Sequence, residues 1–329
     1  MRRALAIAAA LCAALAVAPG GPAAQEAVGA GRLGFLSFAA GGLDGGYHQA
    51  ARAICAEVDA AHRGRLRCSP EATPGSVYNL HALLSGEVEL ALAQADWVIA
   101  ARDGAGVFAG AAGLDGLRGV AKLYTESFTV LAASGSRIAG VRDLSGKRVN
   151  MGAQGSGGRA TAELVVAAFG LSPSDFSEVE SLPPEEGTAA LCAGRIDATA
   201  LVVGHPAPVV ARAIRECGAR LVPVSGPEID ALIADRPAYE RASIPAFRYG
   251  GTGPATPSFG VAALLVTHAR LRDAWIGPVA AALVAQSAAL GRRAPLLARL
   301  DPATLRSVET VLPLHPGAEA AFAEAAAAR

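Results

Sequence analysis

Two hydrophobic periods alternate along the chain. Apolar side chains at every second position, as in Val88, Leu90 and Leu92, interleave with stretches where they recur at three- and four-residue steps, as in Val77, Leu80, Leu83 and Leu84. The first period is that of a strand with one buried face and the second that of a helix with one buried stripe. Their alternation predicts α/β units around parallel sheets. Strands are expected at 33–38, 66–71, 88–92, 117–123, 128–133, 148–152, 179–182, 197–203 and 220–224, with helices at 48–62, 77–84, 159–169, 186–193 and 207–217. From Ser225 to Pro257 the pattern loosens, after which Phe259 to Thr267 forms a strongly apolar strand resembling Phe128 to Ala133. Two such strands allow a chain to leave one domain and return to it. The expected architecture is therefore a discontinuous first lobe, 25–133 with 260–329, and an inserted second lobe, 134–259. Residues 270–291 and the Ala-rich segment after Pro316 are expected to be helical.

The first 24 residues follow another pattern: Met1-Arg2-Arg3, the apolar run Ala4 to Ala18, then small residues to Ala24. That is the layout of a secretory signal peptide, and the run is shorter than the roughly 20 residues a bilayer requires. Cleavage is expected after Ala24. A cut after Ala18 also satisfies a small-x-small rule but leaves Pro19 beside it, and bulky Leu11 before Cys12 argues against a lipid anchor. The remaining chain is expected to be exported, without stable membrane insertion.

The full sequence balances 29 Lys+Arg against 29 Asp+Glu, and loss of Arg2 and Arg3 leaves 27 against 29. No nucleic-acid footprint or basic membrane patch is expected from such a balance. Beyond the leader stand Cys55, Cys68, Cys192 and Cys217. In an oxidising compartment they imply two disulfides, for which three pairings are formally open. The local pairing, Cys55 with Cys68 and Cys192 with Cys217, joins successive elements and is the expected one. Each loop would contribute about 3 kcal/mol in the chain-entropy picture. No C-x-x-C spacing occurs, so no metal is expected.

Four strand-to-helix junctions carry Gly or Pro: Gly41 to Tyr47, Thr73 to Ser76, Gly155 to Gly158 and Gly204 to Pro206. Helix starts present unpaired N–H groups and partial positive charge, and in open parallel sheets they lie where ligands bind. Two junctions from each lobe are what gripping one small anion in a cleft requires. Gly155 to Ala160 also fits G-x-G-x-x-A, the dinucleotide fingerprint, but that motif belongs to the first unit of intracellular enzymes, and no cofactor is expected here. Ser156 and the following N–H groups are instead expected to receive a carboxylate that Arg159 grips through forked hydrogen bonds. Tyr47, Asn79, Gln94 and Asp96 stand at strand ends or helix starts, suited to orienting a ligand, and Asp96 also suits a helix cap before Trp97. His205 is expected to be structural or ligand-contacting. No H-x-x-x-H or G-x-S-x-G motif occurs, so an enzyme is not expected.

Several motifs recur in order along the chain. They are Gly41-Gly42 with Gly46-Tyr47, Thr73 to Asn79, Gln94-Ala95-Asp96-Trp97, Asp143 to Val149, Gly155-Ser156-Gly157 with Arg159-Ala160-Thr161, Gly204-His205-Pro206, Ser258 to Val261, and Pro313 to Ala318. The set resembles the TAXI-type solute receptors of TRAP transporters over nearly the whole chain beyond the leader. The resemblance implies a periplasmic type II binding-protein fold, α/β lobes joined by crossover strands with a ligand cleft between. It also implies delivery to membrane permease subunits driven by an ion gradient. The ligand it implies is a small carboxylate such as glutamate, glutamine or 2-oxoglutarate. By motif, the pocket positions are Gly42, Tyr47, Ser76, Asn79, Gln94, Asp96, Ser156, Gly157, Arg159 and His205.

Departures bear on ligand choice. Tyr47-His48 stands where the family pattern often has Tyr-Tyr, Thr73-Pro74-Gly75-Ser76 replaces a T-G-G-S, and Gly158 replaces a residue often Thr or Gln. His48 adds a titratable donor, Pro74 stiffens its turn, and Gly158 removes a side chain. Two other classes share such a pocket: a sensory receptor with a signalling partner, and a secreted enzyme, which would need a nucleophile and base inside the cleft.

Overall fold

The computed structural model describes residues 34–328, so the expected leader, residues 1–24, lies outside the described residues. The first half comprises β1 (Gly34–Ala39), α1 (Gly46–Ala61), β2 (Leu66–Glu71), α2 (Ser76–Ser85), β3 (Leu90–Gln94), α3 (Ala95–Arg102) and the long strand β4 (Leu117–Ala132). Then come β5 (Arg148–Asn150), α4 (Gly157–Ala168), β6 (Glu178–Glu180), α5 (Pro184–Cys192), β7 (Ala198–Val203) and α6 (Pro208–Cys217). They are followed by β8 (Arg220–Val222), α7 (Pro227–Asp235), β9 (Tyr239–Ile244) and a second long strand, β10 (Thr256–His268). Helices α8 (Asp273–Ala285), α9 (Ser287–Arg293), α10 (Pro302–Arg306) and α11 (Pro316–Ala327) complete the described chain.

Strand pairing builds the same pattern twice. One lobe has the order β2-β1-β3-β10-β4 and the other β6-β5-β7-β4-β8, with β9 added along β10. In each, the first three strands run parallel and the fourth antiparallel. That fourth strand is always the chain arriving from the other lobe. β4 changes partner at Ser127, which lies opposite Gly260 of β10 on one side and opposite Val203 of β7 on the other. Among the described residues, two adjacent antiparallel strands therefore carry every covalent connection between the lobes.

The core follows the predicted periods. Leu36 and Phe38 of β1 and Ile54 and Val58 of α1 are fully buried in one cluster, and Leu80 and Leu83 of α2 are fully buried in another. Helix α2 ends where Gly86 takes a left-handed φ of 85°, which releases the chain into β3. Disulfides join Cys55 to Cys68, from α1 to β2, and Cys192 to Cys217, from the end of α5 to the end of α6. No single described helix is long and apolar enough to cross a membrane.

Three expectations change. The strands foreseen at 117–123 and 128–133 are one continuous strand, because Glu126 does not interrupt it; its side chain is buried, 4% exposed. The loose segment after Ser225 contains α7 and β9, whose Glu240 and Arg241 face outward and mask the alternation of an edge strand. The helix expected at 270–291 is two, α8 and α9, bent by 83°.

Close approach of the crossover strands depends on Gly260. A methyl group there would lie 2.6 Å from Thr125 Cγ2 and 3.1 Å from the Glu126 carbonyl oxygen. Overpacking of this kind costs about 1–3 kcal/mol. Gly260→Ala is expected to lower the thermal unfolding midpoint by several degrees, and an unchanged midpoint would mean that the crossing is not tightly packed.

Candidate functional site

At the carboxyl ends of the parallel strands the lobes enclose a cavity of about 130 Å³. One lobe contributes the Gly41–Tyr47 and Thr73–Ser76 segments and Gln94. The other contributes Gly152, Ala153, Ser156 to Gly158, Pro183, Pro184 and the end of β7 from Ala200 to Val203, while Glu126 comes from the crossover strand between them. Helices α1, α2, α4 and α5 all begin at this cavity, because each follows a parallel strand and its first turn must face the strand's carboxyl end. Gly45, Gly75 and Pro183, which precede α1, α2 and α5, make no side-chain capping bond, whereas Ser156 caps α4 through the N–H of Arg159. The first N–H groups of α1, α2 and α4 therefore offer partial positive charge to whatever fills the space. Helix α5 differs, since Glu185 and Glu186 occupy its first turn.

The lobes meet directly around the cavity. The N–H of Tyr78 donates to the Gly155 carbonyl at 3.3 Å, and Thr161 Oγ1 donates to Gln94 Oε1 at 3.4 Å. Tyr239 Oη donates to Asp96 Oδ2 at 2.7 Å. At Gly157 a Cβ would stand 2.5 Å from Gln94 Oε1 and 2.8 Å from Ser76 Oγ, so glycine is what lets α4 reach the opposite lobe.

No Lys, Arg or His lines the cavity among the described residues; its one ionisable carboxyl is Glu126. Glu126 Oε2 accepts a 2.8 Å bond from Tyr47 Oη, the only hydrogen bond to this carboxyl among the described residues. Burial pushes the Glu126 carboxyl up to about 8, the Tyr47 bond pulls it down and nearby Asp96 adds to the rise. Burial first, and then the same carboxyl, holds Tyr47 well above the usual phenol range. Sequence reasoning missed Glu126 because a carboxylate inside an apolar run reads as a strand break. Its one distinguishing signal was its position between two strands expected to be separate.

Six of the ten expected pocket positions line the cavity: Gly42, Tyr47, Ser76, Gln94, Ser156 and Gly157. The other four are engaged elsewhere. The Asn79 amide donates to the carbonyls of Ala39, Ala40 and Leu92 and its oxygen accepts from Thr73 Oγ1, so it ties α2 to the strand ends. Asp96 sits in the first turn of α3 and holds Tyr239 across the lobes, and burial pushes its carboxyl up to about 6. The Arg159 guanidinium turns to Glu163 Oε1 and, at 2.9 Å, to Ser181 Oγ, which corrects the expectation of a forked grip on a ligand. His205 is bonded through one ring nitrogen to Thr129 Oγ1 at 3.0 Å and through the other to Tyr249 Oη, and burial lowers it to about 4. Of the departures, Pro74 and Gly158 line the cavity, whereas buried His48 does not.

Two α/β lobes of strand order 2-1-3-n-4, joined by paired crossover strands and closing on one cavity, define a type II periplasmic binding-protein fold. The chain belongs to the NMT1-like family, whose model matches residues 38–325. A protein from Bordetella bronchiseptica shares the fold at 16% identity over 89% of each chain, with a TM-score of 0.50. The chain is also similar to the MOPS-bound alkanesulfonate-binding protein of Xanthomonas axonopodis pv. citri, at 20% identity over 88% of this chain and 83% of that one, TM-score 0.45. A methylphosphonate complex of PhnD1 from Prochlorococcus marinus matches at 12% identity over 81% and 90%, TM-score 0.49.

The Glu126 carboxyl links stability to pH. It holds its proton up to about pH 8 in the folded chain, whereas an unfolded glutamate ionises near a pKa of about 4.3. Its contribution is thus fully present below the lower value and lost as pH rises toward the upper one. Asp96 acts in the same sense up to about 6. Across this window the unfolding free energy of the ligand-free protein is expected to fall relative to that of Glu126→Gln. Denaturant melts at each pH check this, and a constant gap would place the carboxyl in a solvated setting.

Proposed function

We propose that this chain is an extracytoplasmic solute receptor that closes two lobes on a small carboxylate and passes it to a membrane permease. The observation that carries this reading is the cavity of about 130 Å³ at the meeting of α1, α2 and α4, whose starts all face the same space from both lobes. Its size is near the roughly 150 Å³ that accepts benzene in an engineered protein, so the guest is a metabolite of a few carbons. Partial charge from several helix starts can hold an acidic group without a side-chain cation. Glutamate, glutamine and 2-oxoglutarate, the ligands implied by the resemblance, are of that class.

Capture rather than catalysis is favoured by how the polar lining is engaged. Ser76 Oγ accepts from the N–H of Gln94, and Ser156 Oγ donates to the Ala153 carbonyl while accepting from Arg159. Among the described residues neither hydroxyl is hydrogen-bonded to a carboxyl or an imidazole, and His205 has both ring nitrogens bonded outside the cavity. The ordered motifs from Gly41 to Ala318 favour a TAXI-type receptor of a TRAP transporter, driven by an ion gradient. Export of the chain is supported by the leader-like sequence of residues 1–24. The proposed lobes are 25–133 with 260–329 and 134–259, and the change of strand partners at Ser127 and Gly260 supports a division within β4 and β10.

Thermal-shift measurements on the exported protein with glutamate, glutamine, 2-oxoglutarate, glutarate, methylphosphonate and an alkanesulfonate test the ligand class. A carboxylate at about 100 times its Kd is expected to stabilise by about 2.7 kcal/mol; stabilisation by the sulfonate or phosphonate alone would overturn it. Uptake into vesicles that carry the cognate permease should need an ion gradient, and a requirement for ATP hydrolysis would remove the TRAP assignment. Gly157→Val is expected to weaken ligand binding at least tenfold, about 1.4 kcal/mol, because closure brings that position against Gln94 and Ser76. Calorimetry reads the loss, and unchanged affinity would mean that binding does not need this closed seam.

A further inference from the structure

We infer that the ligand carries a protonated amino group as well as its acidic group, and that Glu126 is the residue that receives this amino group. The inference rests on the small-acid reading above and divides that class: amino acids belong to the site, and their 2-oxo and deamino counterparts do not.

Glu126 lies on the crossover strand, one residue before β4 changes partner, and forms part of the cavity wall between the two lobes. It is 4% exposed, and Tyr47 holds one of its oxygens. Among the described residues no Lys, Arg or His shares the cavity with it. A carboxyl withdrawn from water without a counter-ion is unfavourable when ionised. The groups facing it make matters worse: Tyr124 on the same strand and Tyr47 on α1 are phenols, and Asp96 on α3 is a second acid. A purely acidic guest would bring a negative charge of its own and supply the carboxyl with no counter-ion. An ammonium group would supply the missing counter-charge in a charge-assisted hydrogen bond, while the acidic end of the same molecule meets the helix starts. The cavity thus has two poles, and a zwitterion matches both. Because the Glu126 carboxyl is pushed up to about 8, it holds its proton in the ligand-free protein at neutral pH. Arrival of an ammonium group then drives that proton to solvent, leaving a carboxylate paired with the guest.

The test is isothermal titration of the exported protein with matched triplets at neutral pH: glutamate, 2-oxoglutarate and glutarate; aspartate, oxaloacetate and succinate; leucine, 4-methyl-2-oxopentanoate and 4-methylpentanoate. The best amino acid is expected to bind at least tenfold tighter than either partner. Titration in buffers of different ionisation enthalpy should show proton release on binding. Glu126→Gln, which keeps the side chain's size, should lose at least tenfold for the amino acid and less than threefold for its partners, and should abolish the proton release. Should that variant fail to fold, Tyr47→Phe, which frees the positioned oxygen, is expected to reduce the preference for the amino acid at least threefold. Equal binding within triplets, or a variant that weakens all members alike, would overturn the role of Glu126 and leave the small-acid reading standing. If no member of any triplet binds, the small-acid reading falls and this inference falls with it.

Discussion

The constraint on which the site depends is a carboxyl group kept out of water at the crossing between two lobes. Ionised and alone, Glu126 would be unfavourable in a setting of low polarity, and the protein leaves it with a single phenolic partner, Tyr47. A leucine on the same strand would pack without that difficulty. What makes the position tolerable is that the carboxyl, pushed up to about 8, keeps its proton at neutral pH, while helix starts on either side turn their N–H groups to the same space. Polar groups of both signs are therefore arranged around one volume before any guest enters, which reduces the reorganisation that binding would otherwise require.

That arrangement follows from the topology. In each lobe the antiparallel strand is borrowed from the chain coming from the other lobe, so β4 and β10 lie side by side at the centre of the sheet. A side chain on the crossover strand is consequently equidistant in role between the lobes. Among the described residues the direct bonds between the lobes around the cavity are few: Tyr78 to Gly155, Thr161 to Gln94 and Tyr239 to Asp96. Net contributions of about 1 kcal/mol for such bonds leave open and closed forms within reach of each other. A guest with a few kcal/mol of preference for the closed form can then decide the balance.

Most of the fold was legible because its signals are local. The strands at Leu66 to Glu71 and Asp197 to Val203 and the helix closed by Gly86 announce themselves through period and punctuation. The cysteine pairing was legible for a related reason, since each pair joins successive elements. What failed was non-local. β9 is a strand because β10 offers it an edge, and its own Glu240 and Arg241 give no alternation to read. β4 continues through Glu126 because β10 pairs with it on one side, a fact absent from residues 117–133 themselves.

The site divides along the same line. Glycines and small polar residues at helix starts, among them Gly42, Ser76, Ser156 and Gly157, are found from sequence because the junction itself fixes where they face. Long side chains escape such reasoning. Arg159 begins the same helix as Gly157, yet a side chain of its length can turn through a wide arc, and Glu163 one turn on together with Ser181 draws it away from the cavity. With the guanidinium engaged there, the acidic end of the proposed guest would be met by backbone dipoles shared among several helices and by neutral side chains such as Ser76 and Gln94, not by one cation. Recognition by dipoles tolerates variation in the shape of the acid. On the proposed reading selectivity comes from the opposite pole, where one carboxyl held by Tyr47 admits far less variation in what it accepts.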